Sequence, residues 1–338
     1  MNSRIDEQDL ALLHALQIAP RASWAEAARV LGTTATTLAT RWERLRSGGL
    51  AWVTAHPGRQ LHSVTVAFVD VDVVPAEREA VIGWLVRDPR AVTVEEVASG
   101  RDLTVTAMVA GHDELSRFVL DDLPAVPGVQ RVRMRVATGI HFEASRWRLD
   151  AIDREQQAAL PAPRAGATAA PLPAAYWPLA EALAYDGRRS AAVLARITGR
   201  KPATVRRQVA RLLASDLLSF RCEIAQVRSR WPLACAWFGR VPPQEADRTV
   251  RSLTTLPELR LCASLAGDTN FMFVVWAHST TDMVRLERLL ADKLPWLTLT
   301  ESMIMLRTRK RMGWLLGEDG RATGEVVVPS PALSLRGD

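Results

Sequence analysis

Lysine is nearly missing from a chain that is otherwise rich in positive charge: Lys201, Lys293 and Lys310 are the only three among 43 basic residues. The rest is arginine, whose planar guanidinium forks onto phosphates and guanine edges where an ammonium acts as a point charge. The same bias also follows from GC-rich coding of an alanine-rich chain. Cysteine is equally scarce. Cys222, Cys235 and Cys262 form no Cys-x-x-Cys, and none stands at metal-ligand spacing from a histidine. That argues against a disulfide framework or a zinc site and leaves them as small buried residues in a reducing compartment. No apolar run approaches the roughly 18 residues that span a bilayer, and the opening MNSRIDEQDL lacks a basic-then-apolar signal. A cytoplasmic protein with no membrane, metal or cofactor partner is expected.

What is present is the composition of a globular protein, 48% hydrophobic and 24% charged, with a formal charge of +6. At 338 residues the chain exceeds one core and suits two to four domains. Between residues 150 and 175 it changes character, and Pro161, Pro163, Pro171 and Pro173 mark a linker. On either side the chain repeats itself. Leu12 aligns with Leu179, Leu16 with Leu183, Ser23 with Ser190, Ala28 with Ala195, Gly32 with Gly199, Leu38 with Val205, Leu45 with Leu212 and Leu50 with Leu217, each pair offset by 167 residues. The expected units are a helical module at 1–55, a mixed unit at 60–142, a linker at 143–175, a second helical module at 176–220, a second mixed unit at 221–312, and a disordered tail at 313–338.

Beyond position 50 the two halves share an order of elements more than a sequence. Alternation and β-branched content, as in VTVAFVDVDV and VQRVRMRVA, predict strands at 63–72, 91–99, 102–109 and 129–138 with helices at 76–86 and 113–123. The second half gives strands at 231–241, 258–265, 270–277 and 297–307 with helices at 244–255 and 281–292. This β-α-β-β-α-β order is the ferredoxin-like split arrangement, two helices on one side of a four-stranded antiparallel sheet. The fold class is therefore α+β, and the open face of each sheet needs a cover that the other copy supplies.

In each helical module two helices meet at a short glycine turn. Ser23 with Glu26 reads as a capping box, the helix stops at Gly32, and a third helix follows at once. This is the helix-turn-helix pattern, winged-helix-like in its setting before a sheet. Leu38, Trp42 and Leu45 fall on one stripe of the third helix and face the core, which leaves Thr34, Thr36, Thr37, Thr40, Arg41 and Arg44 outside. In the second copy Val205, Val209 and Leu212 are the buried stripe. Thr204, Arg207, Gln208 and Arg211 face outward, Arg206 flanks them, and Arg200 and Lys201 stand ready for phosphate. A single helix of this kind would be no more than a solvated face; two at one offset, each in a three-helix context, point to double-stranded DNA. Residues 178–217 carry eight basic and three acidic side chains, whereas 6–50 carry five of each, so the second module should supply most of the phosphate attraction.

The stretch IDEQDLALLHALQIAPRASWAEAARVLGTTATTLATRWERLRSGGL resembles the N-terminal helix-turn-helix of the Lrp/AsnC (leucine-responsive, feast/famine) transcriptional regulators. The resemblance implies that each mixed unit is the family's ligand-sensing RAM domain, whose glycine–aspartate turn appears here in SGRDLTVTAMV and AGDTNFMFVVWA. It makes Gly100, Asp102, Gly267, Asp268 and Asn270 candidates for contact with an amino acid or related small metabolite, while ordinary turn chemistry explains the same residues. Relatives carry one module of each kind and pair RAM sheets between subunits. This chain departs from that pattern by duplication, so it is able to pair its sheets internally; self-association through RAM sheets is also expected.

Two rivals follow from the same resemblance. Siroheme decarboxylases are similar in build, some as tandem fusions, but their His-Asn-Tyr and Asn-Leu-Trp-Phe signatures are not in this sequence, and His56, His62, His112, His141 and His278 are scattered. No catalytic residue is assigned and a non-enzyme is expected. A non-sensing architectural DNA-binding protein is the other rival. The basic run MLRTRKRM at Met305–Met312 reads either as the solvated end of a last strand or as an added phosphate contact.

Overall fold

A computed structural model describes residues 5–57, 64–161, 174–214 and 217–329. The chain begins with α1 (Glu7–Ile18), α2 (Trp24–Leu31) and α3 (Ala35–Ser47). Asp6 and Ser23 close capping boxes on the first two helices, and Gly32, at φ +66°, ends α2 in the left-handed conformation that a side chain would oppose. Strand β1 (Ala51–Pro57) follows, then the first sheet unit: β2 (Thr65–Val73), α4 (Arg78–Arg87), β3 (Ala91–Glu96), β4 (Leu103–Val109), α5 (His112–Ser116, continued by a π-helical turn over Arg117–Asp122) and β5 (Val129–Phe142).

After a short α6 (Arg154–Ala159) the same order returns. Helices α7 (Trp177–Tyr185), α8 (Ala191–Thr198) and α9 (Pro202–Leu213) lead into β6 (Leu218–Ile224). Gly199 repeats the left-handed turn at φ +65°. The second sheet unit is β7 (Leu233–Arg240), α10 (Ala246–Leu253), β8 (Leu259–Leu265), β9 (Phe271–Ala277), α11 (Thr280–Lys293) and β10 (Thr298–Met305), followed by β11 (Arg307–Arg311), β12 (Trp314–Leu316) and β13 (Ala322–Val326).

Each unit forms the expected four-stranded antiparallel sheet, in the orders β5-β2-β4-β3 and β10-β7-β9-β8. Two seams join them. The far half of the 14-residue β5 leaves β2 and pairs with β8, from Ala137↔Leu265 to Phe142↔Cys262. In the mirror arrangement β11, which resumes β10 after Leu306, pairs with β3 from Arg307↔Glu96. The strands thus close a ring, and the inner sheet faces enclose Phe68, Phe238, Ala263, Met272 and Met303. The outer faces carry the helices, as where Val69, Val71 and Val105 pack against Val81, Leu85 and Phe118.

The two three-helix modules, or heads, are also joined to each other. β1 and β6 make a two-stranded antiparallel ribbon, Ala51↔Ile224 to Pro57↔Leu218. Sequence patterning gave no sign of either strand, because burial of every side chain from Ala51 to His56 removes the alternation that marks a half-buried strand. In the turn before α8, Arg188 donates to Pro20 O (2.6 Å) and Ala22 O (2.9 Å) and lies 4.0 Å over the Trp24 ring. Arg21 returns the contact through Arg189 O at 2.9 Å.

Three expectations need correction. The tail from 313 is ordered at least through residue 329: Trp314 stacks on Trp52 with centroids 5.6 Å apart, and Ala322 N donates to Gly49 O at 2.9 Å. Its lack of periodicity reflects short strands that lean on the heads. Gly49, at φ +64°, has no room for a side chain there, since a Cβ would stand 2.4 Å from Ala322 O. The linker assigned to 143–175 is packed up to residue 161, with Ile152 and Leu160 buried beside Ala15 and Ala19; residues 162–173 lie outside the described residues. Finally, the cations of the basic run at 305–312 are engaged within the fold rather than free for phosphate, although Leu306 is exposed and Arg307 partly so. Lys310 is fully buried and donates to Asp88 O at 2.9 Å, and Arg309 pairs with Glu79 and Glu96.

His14 anchors the packed part of the linker: its Nδ1 accepts from the Ala151 and Ile152 amides at 3.0 and 3.2 Å. Burial, with help from Arg148 and against Asp150, pushes its pKa down to about 4. The folded ring is therefore neutral where an unfolded one, near 6.5, takes up a proton. Stability should fall as pH drops from about 6.5 toward 4, and His14→Gln, which keeps an acceptor without the titration, should flatten that limb. Urea midpoints across this range test it, and an unchanged limb in the variant would remove His14 as its cause.

Candidate nucleic-acid interface

The third helices fold as their patterns require. Leu38, Trp42 and Leu45 are buried in α3, and Val205, Val209 and Leu212 in α9. Thr36, Thr37, Thr40 and Arg44 are exposed and Arg41 is half-buried. Thr34 serves as N-cap: its hydroxyl accepts from Thr37 N at 3.1 Å and meets the Thr37 hydroxyl at 2.8 Å, so neither hydroxyl is uncommitted.

The cations of α3 are committed as well. Arg41 donates to Asp6 and to Asp9 (2.9 Å) and also contacts Gln8; Arg44 donates to Asp9 at 2.5 Å. Asp9 is completely buried, so these guanidiniums neutralise a charge that the fold has already desolvated. The hydrogen bond to Asp6 is the main reason that the Arg41 pKa is raised. These partners escaped the sequence reading because Asp6 and Asp9 look like capping residues of α1, which they also are, and no pattern links them to positions 32 and more residues away.

In α9 the picture reverses. Arg206, Arg207, Arg211 and Lys201 are exposed, and among the described residues none of them makes a side-chain hydrogen bond or ion pair. Arg200 is held by Gln208 Oε1 at 3.1 Å and by Ala175 O, which also occupies Gln208. Thr204 is half-buried in the first turn. Pro202 begins the helix without losing a needed donor.

The turn residues do not converge on one point. Asp102 accepts from Val73 N at 2.9 Å and pairs with Arg78; Asn270 accepts from Val241 N (2.9 Å) and donates to Val241 O (2.8 Å). In both units the side chain therefore pins the end of the first strand of its sheet. Gly100 and Gly267 adopt positive φ of 70° and 126°, while Gly100 O and Asp268 O accept from Arg133 and Arg240, both at 3.0 Å. Next to Asp102, Arg101 crosses between the units: it binds Asp70 of β2 at 3.1 Å and Glu301 of β10.

The chain matches the AsnC-type helix-turn-helix domain over residues 5–46 and the Lrp/AsnC ligand binding domain over residues 240–315. An uncharacterised HTH-type transcriptional regulator of Pyrococcus horikoshii is 27% identical over 139 residues, 40% of this chain and 87% of that protein. One from Pyrococcus furiosus is 29% identical over 140 residues, covering 40% and 93%. Among solved structures, the siroheme decarboxylase NirDL superposes with a TM-score of 0.58 at 12% identity, over 90% of this chain and 93% of that one, a likeness of fold.

The ion pairs of α3 generate a stability prediction. Replacing Arg41 and Arg44 together by alanine strands the buried Asp9 carboxylate and should cost about 3 kcal/mol, most of it recovered when Asp9 is also changed to Asn. Equilibrium urea unfolding measures both, and a double variant within about 0.5 kcal/mol of the parent would show that the pairs only decorate the surface.

Proposed function

The chain belongs to the Lrp/AsnC family, and on that premise we propose that it is a DNA-binding transcriptional regulator built as a tandem of two helix-turn-helix and RAM units. One chain then presents two unlike heads. The α9 head grips phosphate through Lys201, Arg206, Arg207 and Arg211, while the α3 head offers Thr36 and Thr40 to base edges with little charge of its own. The observation that carries this reading is the contrast in commitment: among the described residues Lys201, Arg206, Arg207 and Arg211 have no side-chain hydrogen-bond or ion-pair partner, and Arg41 and Arg44 are engaged by Asp6 and Asp9. An amino acid or small metabolite acts as effector on the sheet units. With Asp102 and Asn270 spent on strand ends and the Gly100 and Asp268 carbonyls held by Arg133 and Arg240, the exposed Asp268 side chain is, among the described residues, what those turns have left to offer it. Because the sheets pair within the chain, any association between copies uses other surfaces.

An enzyme on this fold is the second reading, favoured by the extent of the likeness to the siroheme decarboxylase. Anaerobic incubation with siroheme distinguishes it, since decarboxylation would replace the regulator reading.

DNA affinity measured by fluorescence anisotropy between 50 and 200 mM salt tests the assignment of heads. Each phosphate contact contributes roughly 0.9 to the slope of log affinity against log salt. Arg207→Ala with Arg211→Ala should weaken binding and reduce that slope by about 2, whereas Arg41→Ala with Arg44→Ala should leave it nearly unchanged. An unaltered slope in the α9 variant would count against phosphate contact by that head.

A further inference from the structure

The offset of 167 residues that relates the two heads also shows where they part. Four threonines of the first head lose their hydroxyls in the second: Thr33 corresponds to Arg200, Thr34 to Lys201, Thr36 to Ala203 and Thr40 to Arg207. Arg44 and Arg211 correspond as well, yet only Arg44 is held, and the cause lies at the start of each head. Asp9, whose buried carboxylate accepts from Arg44 at 2.5 Å, has Tyr176 as its counterpart. The tyrosine brings no charge to Arg211, whose guanidinium makes no hydrogen bond or ion pair among the described residues. Arg41, bound to Asp6 and Asp9, gives way to Gln208.

The two helices are left with different tools. On α3, Thr36 and Thr40 are exposed one turn apart, opposite the buried stripe; Thr34 and Thr37 bond each other, and Arg46 pairs with Glu43 at 2.8 Å. Threonine hydroxyls and methyls meet base edges in a major groove and neutralise no phosphate. On α9 the neutral groups are the ones already spent, since Gln208 accepts from Arg200 at 3.1 Å and Thr204 is half-buried. What remains is cationic. Arg206 and Arg211 stand roughly 140° apart around a helix of 3.6 residues per turn, to either side of Arg207, where the backbones that wall a groove pass. Arg29 of α2 and Arg196 of α8, exposed at matching positions, add equally to both heads.

We propose that one chain takes a non-palindromic duplex: bases are selected only in the half beneath α3, and the half beneath α9 is held by its phosphates whatever its sequence. The inference rests on the reading that the chain is a DNA-binding regulator, and it concerns which DNA that is. Like heads related by a twofold ask for like half-sites, and so impose a palindrome. These heads are related in fold and not in chemistry. The ribbon of β1 and β6, with the Arg188 and Arg21 contacts, holds each head against the other. A site occupied by one chain therefore has a direction, with the grip always on the same side of the selected bases.

The test uses the full chain to select from a randomised duplex library, recovering only complexes with one chain per duplex. The recovered sites should share one asymmetric motif no longer than about one helical turn. On one side of that motif, scrambling the adjoining duplex should change affinity less than about threefold, while removing it should weaken binding roughly tenfold or more and lower the salt slope by about 3 to 4, in line with four phosphate contacts. Removing the duplex on the other side should do neither. Thr36→Ala with Thr40→Ala, both surface changes, should erase the motif and leave the salt slope within about 0.5 of the parent. Arg207→Ala with Arg211→Ala should keep the motif and remove most of the dependence on the adjoining duplex. Selected bases in both halves, a scrambled side as costly as a missing one, or a motif that survives loss of both threonines would overturn the proposal and leave a DNA-binding regulator in place. Failure to retain any duplex would overturn the regulator reading, and this inference with it.

Discussion

The strand seam between the two sheet units is the constraint on which the rest depends. A four-stranded sheet with helices on one side leaves its other side apolar, and here that side is covered by the chain's own second unit. Once β5 has run on to β8 and β10 has continued as β11 beside β3, the two halves are held at a fixed offset. The heads then have little choice. Their exit strands β1 and β6 lie side by side, and the Arg188 and Arg21 contacts lock the turn of each head onto the other. Covalent repetition, sheet closure and head pairing are three expressions of one packing requirement.

Within that symmetric frame the chemistry is unequal. Several arginines cross between parts of the fold to meet buried or half-buried carboxylates, among them Arg101 at Asp70 and Glu301, Arg41 and Arg44 at Asp9, and Arg260 at Glu223. Among the described residues, Arg206, Arg207 and Arg211 of α9 do none of this. The arginine-rich composition thus serves two purposes that a net charge cannot separate, internal electrostatic wiring and outward attraction. The even balance of residues 6–50 hides pairs, whereas the excess in 178–217 is in large part displayed.

Much of the fold was legible from the sequence because long amphipathic elements write their period plainly. The stripe Leu38, Trp42, Leu45 and its counterpart Val205, Val209, Leu212 are buried as their spacing requires, and the β-α-β-β-α-β order holds in both halves to within a few residues. What escaped was whatever lacks a period. β1 is buried all round, β6 carries Arg221 and Glu223 into the interior, and the strands after Gly313 are too short to alternate. The candidate site was less legible than the fold. Exposure follows from periodicity, but whether an exposed arginine is engaged depends on a partner in another helix. Asp6 and Asp9 become partners of Arg41 and Arg44 only after α1 and α3 have packed.

The internal seam also changes the mass action of the molecule. In a protein whose two-headed form assembles from separate subunits, the competent species declines with the square of the chain concentration on dilution. Here the second head arrives with the first, by a chain closure whose entropy cost grows only slowly with length. A target that both heads of one chain touch needs no second chain to complete that pair of contacts.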